Sequence, residues 1–170
     1  MDHFARLGLP AALDLEPASL DRAYFALQRQ WHPDRFVAKP AAERARASAE
    51  AAALNDAYRT LKDPLSRAVY FAELKGVELP GDGKTIDDPE LLMEAMEARE
   101  ELHEASTPDT VDALAAKARA DMKASLEGLG GLFLADDKPA IRKALLRLRY
   151  LDKFAEEARA RRMNIERSTA

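Results

Sequence analysis

The residue types best placed for chemistry in this 170-residue chain form one tight triplet, His32-Pro33-Asp34. It has two physical readings. An imidazole close to a carboxylate is the start of an acid–base pair. Alternatively, proline fixes its own φ and drives the residue before it out of the helical region, so His32 and Asp34 stand on a stiff corner. There Asp34 offers an acceptor-only carboxylate suited to the fork of an arginine. Arg22, Arg29 and Arg35 give the corner positive surroundings suited to an acidic groove on another protein. The rest of the sequence favours docking over catalysis. His3 and His103 are distant in sequence, and no glycine-rich loop could cradle a phosphate. Cysteine is absent, which removes disulfides, thiolate nucleophiles and thiolate-held zinc or iron–sulfur clusters. No further ligands sit at a metal-site spacing from His32 and Asp34, so no metal and no cofactor is assigned. The chain is expected not to be an enzyme.

Composition sets the frame for that corner. Charged residues at 33% and hydrophobic residues at 47% suit a soluble globular chain rather than a disordered one. Aromatics at 6%, with much of the apolar content in alanine, point to helices with thin cores and away from sheet. The net charge of −4 and the lack of a basic tract argue against nucleic acid as a partner. No run approaches the roughly 20 apolar residues that span a bilayer. Met1-Asp2-His3-Phe4 lacks the basic start of a secretory signal. A cytoplasmic monomer is therefore expected, with no membrane partner.

The expected fold is all-α. Leu20, Tyr24, Leu27 and Trp31 share one face of a helix that starts near Pro17 and stops at Pro33. A second helix is expected from about Pro40 to Lys62, with the stripe Ala47, Ala51, Leu54, Tyr58 and Leu61, and a shorter one follows Asp63-Pro64 towards Gly76. The two longer ones make an antiparallel hairpin. Gly76, Pro80, Gly81 and Gly83 crowd residues 76–88, which read as a linker. Beyond it, Asp88-Pro89, Thr107-Pro108 and Lys138-Pro139 each announce a helix, and short connections make an antiparallel three-helix bundle. Its core is expected to use Leu91, Ala95, Ala98, Leu102 and Ala105 from the first helix. The second adds Val111, Leu114, Ala118, Met122 and Leu129, and the third Ile141, Ala144, Leu148, Leu151, Ala155 and Ala158.

Leu27-Gln-Arg-Gln-Trp-His-Pro-Asp-Arg-Phe36, followed by Leu54-Asn-Asp-Ala-Tyr-Arg-Thr-Leu-Lys-Asp-Pro-Leu-Ser-Arg-Ala-Val-Tyr70, closely resembles a J domain over residues 1–75. This is the module by which DnaJ-type co-chaperones stimulate DnaK-type ATPases. The resemblance implies that His32, Pro33 and Asp34 contact the ATPase, helped by Arg22, Arg29 and Arg35. Trp31 stands where many members have tyrosine and is expected to pack, as are Tyr24, Tyr58 and Leu61. The Gly/Phe-rich stretch and zinc region of general DnaJ proteins are missing. Instead Met1-Asp-His-Phe4, Leu91-Leu-Met-Glu-Ala-Met-Glu-Ala-Arg-Glu-Glu-Leu-His-Glu104 and Leu148-Arg-Tyr-Leu-Asp-Lys153 resemble the HscB family of iron–sulfur cluster assembly, so the likeness covers nearly the whole chain.

A helical wheel at about 100° per residue marks a second surface. Leu92, Met93 and Met96 fall nearly opposite the Leu91–Ala95–Leu102 face, beside Glu97, Glu100 and Glu104. In the last helix, Leu146 and Tyr150 likewise point away from the core side. Either a further helix buries these residues or they form an apolar patch for a partner. The HscB resemblance implies the second: Leu92, Met93, Met96, Glu97, Glu100, Glu104 and Tyr150 of a scaffold-binding bundle over residues 89–170. The function implied is that of a co-chaperone. It stimulates an HscA-like DnaK-type chaperone ATPase and delivers an IscU-like iron–sulfur scaffold protein to it, performing no bond chemistry itself. A J-domain protein serving a different client is the alternative, since it would share the first half and differ only over residues 91–150.

Overall fold

The computed structural model describes residues 1–81 and 83–169, and its chain divides into two compact units, Met1–Leu74 and Lys75–Ala170. The described residues form helices and turns without strands.

In the first unit α1 spans His3–Arg6, α2 Pro17–Trp31, α3 Ala41–Lys62 and α4 Pro64–Leu74, with a 3₁₀ turn at Pro33–Phe36. The Asp2 carboxylate accepts from the Ala5 N–H and starts α1, which sets Phe4 into the core. Alanine-rich α3 is intrinsically helical and lies against α2 as the second arm of a hairpin. Its buried face is Ala47, Leu54, Ala57 and Leu61, with Ala51 and Tyr58 half-buried at the edge. The tyrosines seal the hairpin. Tyr24 and Tyr58 stack 4.0 Å apart, and their hydroxyls donate to Asn55 and Asp21, each at 2.7 Å. Arg67 of α4 donates to the Leu61 and Leu13 carbonyls at 2.8 Å, satisfying an orphan carbonyl at the end of α3.

In the second unit α5 spans Pro89–Glu104, α6 Pro108–Leu134 and α7 Lys138–Thr169. Asp88 and Thr107 cap α5 and α6 through their side chains, with Pro89 and Pro108 as first residues. Asp136, at φ 50°, makes the left-handed turn into α7, a conformation aspartate tolerates better than most residues. Helix α7 runs parallel to α5, joined by Lys143–Glu90, by Arg147–Glu94 at 2.6 Å and by Arg99–Glu157 at 3.1 Å. It runs antiparallel to α6, as the Arg162–Asp112 pair at 2.8 Å records. The stretch read as a linker is strapped to α7. Arg142 forks onto Asp87 at 3.0 and 2.6 Å and donates to the Glu78 carbonyl, Arg149 donates to the Pro80 carbonyl at 2.6 Å, and Val77 is buried.

Helix α7 is the axle of this unit, and that corrects one expectation. Leu146 does not point away from the core; it is 3% exposed. With α5 on one flank and α6 on the other, the buried arc of α7 is wider than a single stripe and takes in Leu145 and Leu146 with Ile141 and Leu148.

Candidate functional site

The His32-Pro33-Asp34 corner grows out of the end of α2. His32 leaves the helix at φ −59°, ψ 128°, the extended conformation imposed on a residue before proline. The 3₁₀ turn then brings the Asp34 N–H to within 3.3 Å of the His32 Nδ1, which accepts it. The base of the corner is clamped and its tips are free. Trp31 and Phe36 stack with ring planes 3° apart, and the Arg46 guanidinium of α3 lies 5.6 Å from the Trp31 ring centre. Above the clamp the His32 side chain is 51% exposed and that of Asp34 86%. Among the described residues Asp34 has no arginine to pair with, and its one ionic neighbour there is the His32 ring at 3.6 Å.

The three arginines differ in role. Arg35 folds back and donates to the Arg29 carbonyl at 3.1 Å, which tidies the end of α2 as well as placing a charge beside the corner. Arg29 is exposed, and Arg22 is exposed beside Ser19 and Glu16. Between Arg22 and Arg29 lies a residue the sequence reading missed. Phe25 is 48% exposed, leaning on Tyr24 and Tyr58 with its outer side open. Its signal was present: it is an aromatic off the Leu20–Tyr24–Leu27–Trp31 stripe, three residues from one arginine and four from the next.

The second candidate set divides around α5. Met93 and Met96 are 63% and 60% exposed, and with Glu97, Glu100 and Glu104 they form an open ridge of methionine and carboxylate. Leu92 is half-buried. Tyr150 departs from expectation. It is half-buried against the core built from Leu102, Val111, Leu151, Phe154 and their neighbours. Its hydroxyl meets Glu94 and Arg147; burial, then the hydrogen bond with Glu94, pushes its pKa up to about 12. With Leu151 and Phe154 it floors a groove of about 120 Å³ between α5 and α6, and of the ridge residues only Glu97 reaches that groove. The tyrosine is drawn inward because the space between α5 and α6 lets its ring lie over the core instead of in solvent. The methionines and Tyr150 therefore occupy different sides of α5, with Glu97 between them.

Among the described residues no three His, Asp or Glu side chains are grouped to hold a metal, and no helix is long and apolar enough to cross a membrane.

Comparison with known proteins finds a family match in each of the two units. Residues 2–70 match the family described as the DnaJ domain, and residues 87–159 the family described as the HSCB C-terminal oligomerisation domain. The chain is 40% identical over 167 residues to the Burkholderia multivorans protein named co-chaperone protein HscB homolog, covering 96% of this chain and 95% of that one. A protein of the same name from Cupriavidus taiwanensis is 40% identical over 92% of this chain and 90% of its own length. The solved structure of the chaperone HscB from Vibrio cholerae superposes with a TM-score of 0.82 at 33% identity, covering 97% of this chain and 99% of that one. Human co-chaperone protein HscB gives 0.87 at 28% identity, covering 96% of this chain and 83% of that one.

Proposed function

The chain belongs to the HscB family of J-domain co-chaperones, and from that premise we propose that it couples a DnaK-type chaperone to an iron–sulfur scaffold protein through two separate surfaces. The first unit docks on an HscA-like ATPase with His32, Pro33 and Asp34, aided by Arg22, Arg29, Arg35 and Phe25. The second unit holds an IscU-like scaffold with Met93, Met96, Glu97, Glu100 and Glu104, and with Leu92 and Tyr150 as half-buried supports. Binding energy released at the corner favours the ATPase state that hydrolyses ATP and grips the scaffold. The chain itself makes and breaks no bond, and it works in the cytoplasm.

The observation that carries this reading is the exposed Asp34 carboxylate on a corner clamped from below. A rigid, unsatisfied carboxylate loses little entropy on meeting a guanidinium, and a charge-assisted fork between them is strong. The test is ATP turnover by an HscA-like chaperone with and without the scaffold. Wild type raises turnover, most with the scaffold present. Asp34→Asn removes the charge at constant shape, so it abolishes stimulation while the melting temperature stays put. Stimulation that survives this substitution overturns the reading. Stimulation without scaffold binding to the second unit leaves a co-chaperone of a different client.

A further inference from the structure

Helices α5 and α6 each pack along α7 but hardly touch one another, so the bundle has one open side. Its walls repeat at helical spacing, residues 94–101 on α5 and 114–121 on α6. Seven residues at a rise of 1.5 Å make each wall about 10 Å long, two helical turns. The floor is apolar, and Leu114 continues it up the α6 wall. The rim is acidic. Glu94 is engaged by Arg147, but Glu97, Glu101 and Asp121 have no cationic partner among the described residues, and Lys117 is the cation against them. Three unpaired carboxylates around an apolar trough suit a ligand of opposite charge with an apolar face.

We propose that this groove receives a basic amphipathic segment of the scaffold protein, with α6 supplying a second contact wall. Leu114 and Asp121 touch the segment, and Lys117 opposes it. The inference rests on the reading that the second unit binds the scaffold, and it extends that surface from the methionine ridge across Glu97 to the far side of α5. It assigns the α6 wall a role that the ridge residues do not cover. A groove two turns long fits a short helix laid between α5 and α6, the place a fourth helix would take in a closed bundle.

The charges make the test two-signed. Titration of an IscU-like scaffold by calorimetry at low salt compares wild type, Lys117→Glu, Asp121→Lys and the ridge variant Met93→Ala/Met96→Ala. Lys117→Glu tightens binding about three- to tenfold, Asp121→Lys weakens it by a similar factor, and both differences fade near 1 M salt, where the Debye length is about 3 Å. A misfolded variant cannot produce the gain. If the ridge variant weakens binding while both α6 variants match wild type, the groove proposal is overturned and the scaffold reading stands. If wild type does not bind the scaffold, both fall. If the α6 variants change self-association by sedimentation and not scaffold affinity, the occupant is a second copy of this chain, which also overturns the proposal.

Discussion

Replacing both ridge methionines by alanine separates binding from folding more cleanly than any other change on this surface. Met93 and Met96 are 63% and 60% exposed. Burying a whole methionine side chain is worth about 1.5–3 kcal/mol, so the exposed share of each leaves about 1–2 kcal/mol for a partner to gain. Alanine keeps Cβ, so the pair together loses roughly 2–3 kcal/mol of contact. At about 1.4 kcal/mol per factor of ten, Met93→Ala/Met96→Ala raises the Kd for the scaffold about 30- to 150-fold. Folding is spared, because truncating exposed helical side chains to the best helix former stays within about 0.5 kcal/mol. That is less than about 4 °C in the melting temperature of a unit this size. Tyr150→Ala lacks this clarity. It strips a ring packed against the core, costs about half of the 3–5 kcal/mol of a fully buried aromatic, and so confounds lost contact with lost structure. Calorimetric titration and a thermal melt on the same samples decide the matter. A Kd within twofold of wild type, with the melt unchanged, refutes the assignment of the ridge. A melt that falls as far as that of Tyr150→Ala refutes the burial argument instead.

Two further outcomes are expected. Phe25→Ala removes an aromatic set between Arg22 and Arg29, so it raises the concentration needed for half-maximal stimulation of the partner ATPase about tenfold and leaves the maximal rate intact, since the corner is untouched. Equal half-maximal concentrations for wild type and variant would place Phe25 outside the docking face. Tyr150 has a pKa of about 12 in the folded chain, above the unfolded value of about 10. The stability tied to its neutral phenol is therefore fully present below about pH 10 and lost as pH climbs through about 12. Urea melts across that window show a steeper alkaline decline for wild type than for Tyr150→Phe; identical slopes count against the buried phenol.

What could be read from the sequence is what local chemistry dictates. Pro17, Pro89 and Pro108 each occupy the first residue of a helix, and Pro33 opens the turn that ends α2, because a missing N–H and a fixed φ act on their immediate neighbours alone. The corner was legible for the same reason. The burial of α7 was not. Whether Leu146 and Tyr150 face water depends on α5 and α6 lying on two flanks of one axle, and no periodicity within α7 encodes how many neighbours it has. The clamp beneath the corner was half legible. An aromatic at Trp31 was expected to pack, but its partner Arg46 comes from a different helix, fifteen residues on. Arg142 and Arg149 show the same limit: their straps onto Asp87, Glu78 and Pro80 join residues more than fifty positions apart, and on the wheel they look like ordinary solvated charge.

The two surfaces differ in kind, and the difference bears on mechanism. The corner is small: three residues, three arginines and one phenylalanine cannot cover the roughly 800 Å² per partner of a stable complex. Its contact is dominated by charge, which speeds encounter more than it lengthens residence. An exposed methionine ridge can adapt to the shape of a partner and bury apolar area, the ingredient of slow release. A chain that carries both would keep its scaffold while visiting the ATPase repeatedly, and the continuous backbone between the units sets the effective concentration of one ligand near the other in the millimolar range. Coupling of that kind needs no conformational signal from one unit to the other. It follows that variants of the ridge lower the scaffold-dependent part of ATPase stimulation and leave the scaffold-independent part alone, whereas variants of the corner abolish both.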